Sequence, residues 1–181
     1  MIRRLLSLGT LILTATLAVF FSVTVANAQG PLSESQREEI RTNCTTIKND
    51  ISQLQASDAL LRVNRGQVYE SIRSSLMETF NTRLSNNNLD TRGLSVVTNR
   101  YGAALDDFRT NYQTYERQLT AALRIDCTED PDGFHFAVEN ARTERATLNR
   151  TVARLHQVMD DYRNAVGDFR TNFARVAGED S

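Results

Sequence analysis

From Phe134 to Val176 the chain carries a ladder whose steps alternate between four and three: Phe134, Val138, Ala141, Arg145, Leu148, Val152, Leu155, Met159, Tyr162, Val166, Phe169, Phe173 and Val176. A repeat of 3.5 keeps one stripe of a helix facing a partner helix, so this segment predicts a long coiled-coil-type helix. The middle of the chain repeats the pattern at Leu94, Val97, Tyr101, Ala104, Phe108, Tyr112, Tyr115, Leu119 and Ala122. The first part does so at Ile40, Cys44, Ile47, Ile51, Leu54, Asp58, Leu61, Arg65, Val68, Ile72, Leu76, Phe80 and Leu84. There the last steps all lengthen to four, which is longer than a helical turn, so the stripe drifts. Proline occurs only at Pro31 and Pro131. The long proline-free interval agrees with helix, because proline removes a donor and clashes with the preceding turn.

Local chemistry punctuates the ladders. Ser35 with Glu38 predicts a capping box at the first helix start. The run Ser85-Asn86-Asn87-Asn88 stops that helix, since short polar side chains favour turns. Asp90 is placed to cap the second helix. Asp130 is placed to cap the third, with Pro131 at a first helical position where a missing N–H costs nothing. The expected fold is all-α: an elongated up-down-up three-helix coiled-coil bundle with helices over about 34–85, 90–125 and 131–176. A four-helix bundle is the alternative if Gly66 breaks the first helix. The shape is similar to that of a spectrin repeat, an analogy that rests on no sequence motif.

Helical rise sets heights along the rod. Cys44 to Leu84 spans about 60 Å and Leu89 to Cys127 about 57 Å, so the second cysteine returns to the level of the first. A Cys44–Cys127 disulfide at the base of a helical hairpin follows. The N-terminus points to a compartment where that bond persists. Arg3 and Arg4 precede an apolar run over residues 5–25, and Ala26-Asn27-Ala28 offers small residues where a signal peptidase cuts. Residues 1–28 therefore read as a secretory signal, followed by a short linker at 29–33, the bundle at 34–177 and a frayed tail at 178–181. The expected location is the periplasm or extracellular space. The run is also long enough to serve as an uncleaved membrane anchor.

The same heights align charges that interrupt the seams. Asp58 and Arg145 both fall about 21 Å from the cysteine end, on two helices running the same way. Arg65 lies about 32 Å up, level with Asp106 and close to Asp107. A lone buried charge is costly, so an Asp58–Arg145 contact and an Arg65–Asp106 or Arg65–Asp107 contact are expected inside the bundle, fixing register. The pentapeptide Asp-Phe-Arg-Thr-Asn occurs twice, inside Tyr101–Tyr112 and inside Tyr162–Phe173. Each copy puts aromatics seven apart on a seam. Phe108 and Phe169 lie at heights of about 28 and 57 Å, so the copies read as packing, not as one site.

Composition narrows the function classes. The net charge is −1, without a basic stripe, which makes the chain a poor nucleic-acid binder. Asp126, Glu129, Asp130 and Asp132 crowd one turn, a pattern that suits a hard cation but equally a helix N-terminus. His135 and His156 are about six turns apart and do not converge. The adjacent pairs Asp106-Asp107 and Asp160-Asp161 point in different directions and are poor acid–base partners. No catalytic, cofactor or metal residues are assigned. The leading expectation is a non-enzymatic rod of the cell envelope or extracellular space that binds or spaces other proteins. The alternative is a groove-type binder of lipid, peptide or unfolded chains. An apolar stripe left uncovered would distinguish them. Membrane contact is expected only if the N-terminal segment is retained, and self-association is left open.

Overall fold

The computed structural model describes residues 31–178. The expected signal or anchor segment, its cleavage after Ala28 and the last three residues of the tail lie outside them. The first helix starts two residues earlier in its capping pattern than expected. Ser33, not Ser35, is the cap: its Oγ accepts from the Gln36 amide (3.3 Å), and its own N–H donates to Gln36 Oε1 (2.8 Å). Glutamine at the third position completes the box as well as glutamate does. Leu32, buried just ahead, anchors the chain there.

Helix α1 spans Glu34–Ser71, passes into a π-helical segment at Ile72–Glu78 and continues as α2, Thr79–Asn86. Gly66 does not break it, so the four-helix alternative does not form. Asn88 then adopts a left-handed conformation (φ 59°), while the amides of Asn87, Asn88 and Leu89 return to the last carbonyls of α2. Helix α3 spans Arg92–Arg124, its first amide held by Asp90 Oδ1 (3.0 Å). Helix α4 spans Pro131–Ala177, capped by Asp130 Oδ1 on Gly133 N–H (2.8 Å) and closed by left-handed Gly178.

Side-chain pairs give the topology. Residue numbers rise on the first helix as they fall on α3, from Lys48 Nζ on Ile125 O (3.0 Å), through Gln55 on Thr120 (2.9 Å), to Asn81 on Thr98 (2.9 Å). They rise on α4 as they fall on α3 at Asn111–Thr151 (2.7 Å) and Arg100–Asp161 (3.1 Å). They rise together on the first helix and α4, from Asp58–Arg145 (3.4 Å) to Tyr69–His156 (3.3 Å) and Asn81–Tyr162 (2.8 Å). This is the up-down-up bundle. Cys44 and Cys127 form its disulfide, with Cα atoms 5.5 Å apart. Phe134 packs on that bond at the base.

The three seams are not covered equally. Every seam residue of α3 from Leu94 to Ala122 is buried. Contacts between α3 and α4 dominate the fold, and the first helix touches α4 sparingly. On the first helix, Leu61, Val68 and Leu76 are exposed, while Tyr69 and Met77 are buried. For Leu76 and Met77 the π segment is the cause. It admits one extra residue, which turns everything after it by roughly 100°. In an uninterrupted α-helix Leu76 would share the face of Tyr69; the insertion swings it out and brings in Met77 and then Asn81. The wider turn also pairs residues five apart: Arg73 Nε donates to Glu78 Oε1 (3.1 Å). Arg73 lies across α3 at Gly102, where a Cβ would sit 3.3 Å from its guanidinium carbon.

The register makes a sharp contrast between neighbours. Met77→Ala removes a side chain that is 1% exposed and should cost about 2–5 kcal/mol. Leu76→Ala, at 58% exposed, should cost under about 1 kcal/mol. Urea denaturation of the two variants measures both, and a larger loss for Leu76→Ala than for Met77→Ala would mean that the first helix continues without the insertion.

Candidate functional site

The residues expected to form a buried polar seam part company in three dimensions. Asp58 and Arg145 lie 3.4 Å apart, but only the acid is enclosed: their side chains are 13% and 45% exposed. Asp58 also accepts from the Tyr115 hydroxyl at 2.7 Å. The expected Arg65 pair does not form. Asp106 is exposed and takes Arg109 on its own helix (2.8 Å), and Asp107, also exposed, takes Arg154 of α4 (3.1 Å). Arg65 is exposed and lines the opening between α1 and α4, with no ion-pair partner among the described residues. Helical rise places Arg65 and Asp106 at similar heights, but a contact also needs matching azimuth, and these residues face different gaps.

The buried polar atoms belong mainly to tyrosines, which bolt α3 and α4 to the first helix. Tyr101 Oη donates to the Tyr69 carbonyl (3.2 Å). Tyr162 Oη lies within hydrogen-bonding reach of Asn81 Oδ1 (2.8 Å) and the Met77 carbonyl (3.3 Å). Asn81 Nδ2 passes the chain on to Thr98 Oγ1, which donates to Leu94 O (3.0 Å). Two of these bonds end on main-chain carbonyls, of Tyr69 just before the π segment and of Met77 within it. Burial pushes the Tyr101 and Tyr162 phenols up to about 12. Tyr115 is raised by burial and then by its bond to Asp58.

The other sequence candidates are occupied separately. In the acidic turn, Asp126 accepts from the amides of Thr128 (2.9 Å) and Glu129 (3.4 Å), which hold its pKa down. Asp130 caps α4, and Asp132 pairs with Arg37 (2.7 Å). Among the described residues, no cluster of three or more His, Cys, Asp or Glu is arranged to hold a metal ion. In the repeated pentapeptide, Phe108 is buried edge-on to Tyr69 (5.4 Å), whereas Phe169 stacks on Phe173 (6.3 Å) near the far end.

What the sequence reading missed is the open flank between the first helix and α4. Ile72, Leu76, Met77 and Phe80 face Met159, Tyr162, Arg163 and Val166 across an apolar recess of about 480 Å³. Nearer the disulfide, a smaller recess of about 210 Å³ is lined by Asp58, Arg62, Arg65, Arg145 and Asn149 over Tyr112 and Val152. Between Leu60 and Leu76 the exposed positions are Leu60, Leu61, Val63, Asn64, Arg65, Gln67, Val68, Ser71, Ser74, Ser75 and Leu76. Arg65 is the one charge in that set. The lengthened steps after Val68 were the available sign of this flank. Comparisons of the chain with protein-family models, curated proteins and solved structures found no match.

Asp58 and Arg145 should respond unequally to truncation. Asp58→Ala leaves the buried Tyr115 hydroxyl without its acceptor and should cost about 1–3 kcal/mol. Arg145→Ala, at a half-exposed position, should cost under about 1 kcal/mol. Equal losses in denaturant titrations would mean that the pair, and not the Tyr115 bond, carries the energy.

Alkali should unfold the bundle through its tyrosines. An unfolded tyrosine ionises near pH 10. Tyr101 and Tyr162 stay neutral in the folded chain up to about 12. Above pH 10 the unfolded state therefore holds fewer protons than the native one, and stability falls as pH rises. Thermal melts should drop progressively from about pH 10 to about 12. Absorbance at 295 nm should show the buried phenols ionising with loss of helix; full ionisation while the far-ultraviolet signal stays native would contradict the burial argument.

Proposed function

We propose that this chain is an exported, non-enzymatic helical bundle that works by binding another protein through the flank between its first helix and α4. The carrying observation is the uncovered apolar row Leu61, Val68 and Leu76 beside the recess at Met77 and Met159. A passive spacer would have closed its three seams on one another. An interaction surface is poor in charge at its centre, as this face is between Leu60 and Leu76. Export is supported by the signal-like residues 1–28 and by a disulfide suited to an oxidising compartment. No helix among the described residues is long and apolar enough to cross a membrane.

Two measurements test the reading. Intact mass of native protein should correspond to a chain beginning at Gln29 with Cys44 joined to Cys127. Retention of residues 1–28 in the membrane fraction would replace secretion with anchoring. In affinity capture from native envelope, Val68→Glu should lose the partners that wild type retains, with its helix content and melting unchanged. Identical capture by both would exclude this flank as the binding surface.

A further inference from the structure

Two columns of side chains border the open flank at the same period. On α4, Val152, Met159 and Val166 recur every seven residues along the two recesses, all partly exposed. On the first helix, Leu61 lines one recess and Leu76 the other; exposed Val68 lies seven residues after Leu61, and the π insertion brings Leu76 into line as the next member. The two helices run parallel, as the contacts at Asp58–Arg145 and Tyr69–His156 show. Each column is about 21 Å long, about four turns of helix. Two parallel heptad columns flanking a shallow trough are what a further helix needs for knobs-into-holes packing.

The charge around the trough leaves one cation, Arg65, without an acid among the described residues. Its recess near the disulfide is bordered by Arg62, Arg65 and Arg145, and the single acid there, Asp58, is 13% exposed and already engaged by Tyr115 and Arg145. Arg62 lies 4.8 Å over the Tyr112 ring and 3.5 Å from Glu116, whereas Arg65 has no ion-pair partner among the described residues. At the other recess Arg163 stands beside Val166 and pairs with Asp160 (2.7 Å). We propose that the trough receives an amphipathic helix of another protein, with aliphatic residues at heptad spacing and an acidic residue directed at Arg65 and Arg145, completing a four-helix arrangement. This rests on the protein-binding reading above and names the partner's chemistry. Charge selects this occupant over a second copy: the column itself presents arginine, and a like copy would set Arg65 against a face without free acid.

The probe is a designed 21-residue helical peptide with leucine at heptad positions and glutamate on both flanks, compared with the same peptide carrying lysine flanks. Fluorescence anisotropy with the disulfide-bonded protein should give saturable one-to-one binding of the glutamate peptide. Affinity should fall by at least about tenfold for the lysine peptide and for Arg65→Glu. Val68→Glu, at an exposed position, should abolish binding while leaving the melting temperature unchanged. Equal binding of both peptides, no binding of the glutamate peptide at millimolar concentration, or binding indifferent to Val68→Glu overturns the proposal. So does sedimentation equilibrium showing a dimer that Val68→Glu dissociates, or competition by a fatty acid at the same affinity with both peptides excluded. Failure with the peptide alongside Val68-dependent capture from envelope would reject the acidic helix but keep the protein-binding reading.

Discussion

Burial of the α3 seam is the constraint from which the rest of the structure follows. From Leu94 to Ala122 its apolar face is shut off from water, and α4 covers most of it. Hydrophobic stabilisation scales with the area removed from water, so the α3–α4 hairpin is the energetic centre. The first helix is held to that hairpin by a few localised devices: the disulfide and Phe134 at the base, Tyr115 on Asp58 midway, and Tyr162 on Asn81 near the far end. Around these points Tyr69, Met77 and the partly buried Ile51, Ile72, Phe80 and Leu84 pack on the core, and a helix that leans on α3 more than on α4 leaves the flank toward α4 open.

The π segment decides which flank. By inserting one residue it brings Met77 and Asn81 onto the inward face of Tyr69, from which a regular α-helix would turn them by about 80° and about 120°. Tyrosine hydroxyls from α3 and α4 reach the Tyr69 carbonyl just before it and the Met77 carbonyl within it, so buried tyrosines brace the distorted turn. The same rotation exposes Leu76 and lines it up with Leu61 and Val68. A packing solution on one face thus creates an apolar column on another. π segments recur at functional sites, and here the link is geometric: the insertion aligns the column that borders the trough.

Electrostatics follows from that opening. Most charged side chains pair along one helix or across a solvent-facing gap, as Arg109 does with Asp106 and Arg154 with Asp107. Such exposed pairs contribute little to stability. The arginines at the trough differ in setting: they stand beside apolar walls, and Arg65 has no ion-pair partner among the described residues. The acidic turn at the base is consumed by capping and by Arg37, which stiffens the entry to α4 and leaves no convergent carboxylate site there among the described residues.

The sequence by itself determined what depends only on helical rise and period: three long helices, their order and direction, and the heights that bring Cys44 to Cys127 and Asp58 to Arg145. Rise per residue is the same in every α-helix, so counting suffices. The start at Ser33 was displaced because two overlapping cap patterns lie two residues apart and buried Leu32 chooses between them. What only the tertiary structure decided is azimuth. Arg65 and Asp106 share a height yet face different gaps, and Val68 and Leu76 satisfy the apolar ladder yet point outward. Whether a seam is covered depends on a neighbour's shape, and the extra residue of the π segment is stabilised by tyrosines more than twenty positions away in the chain. Periodicity therefore revealed three seams, and only packing against α3 showed that one of them stays open.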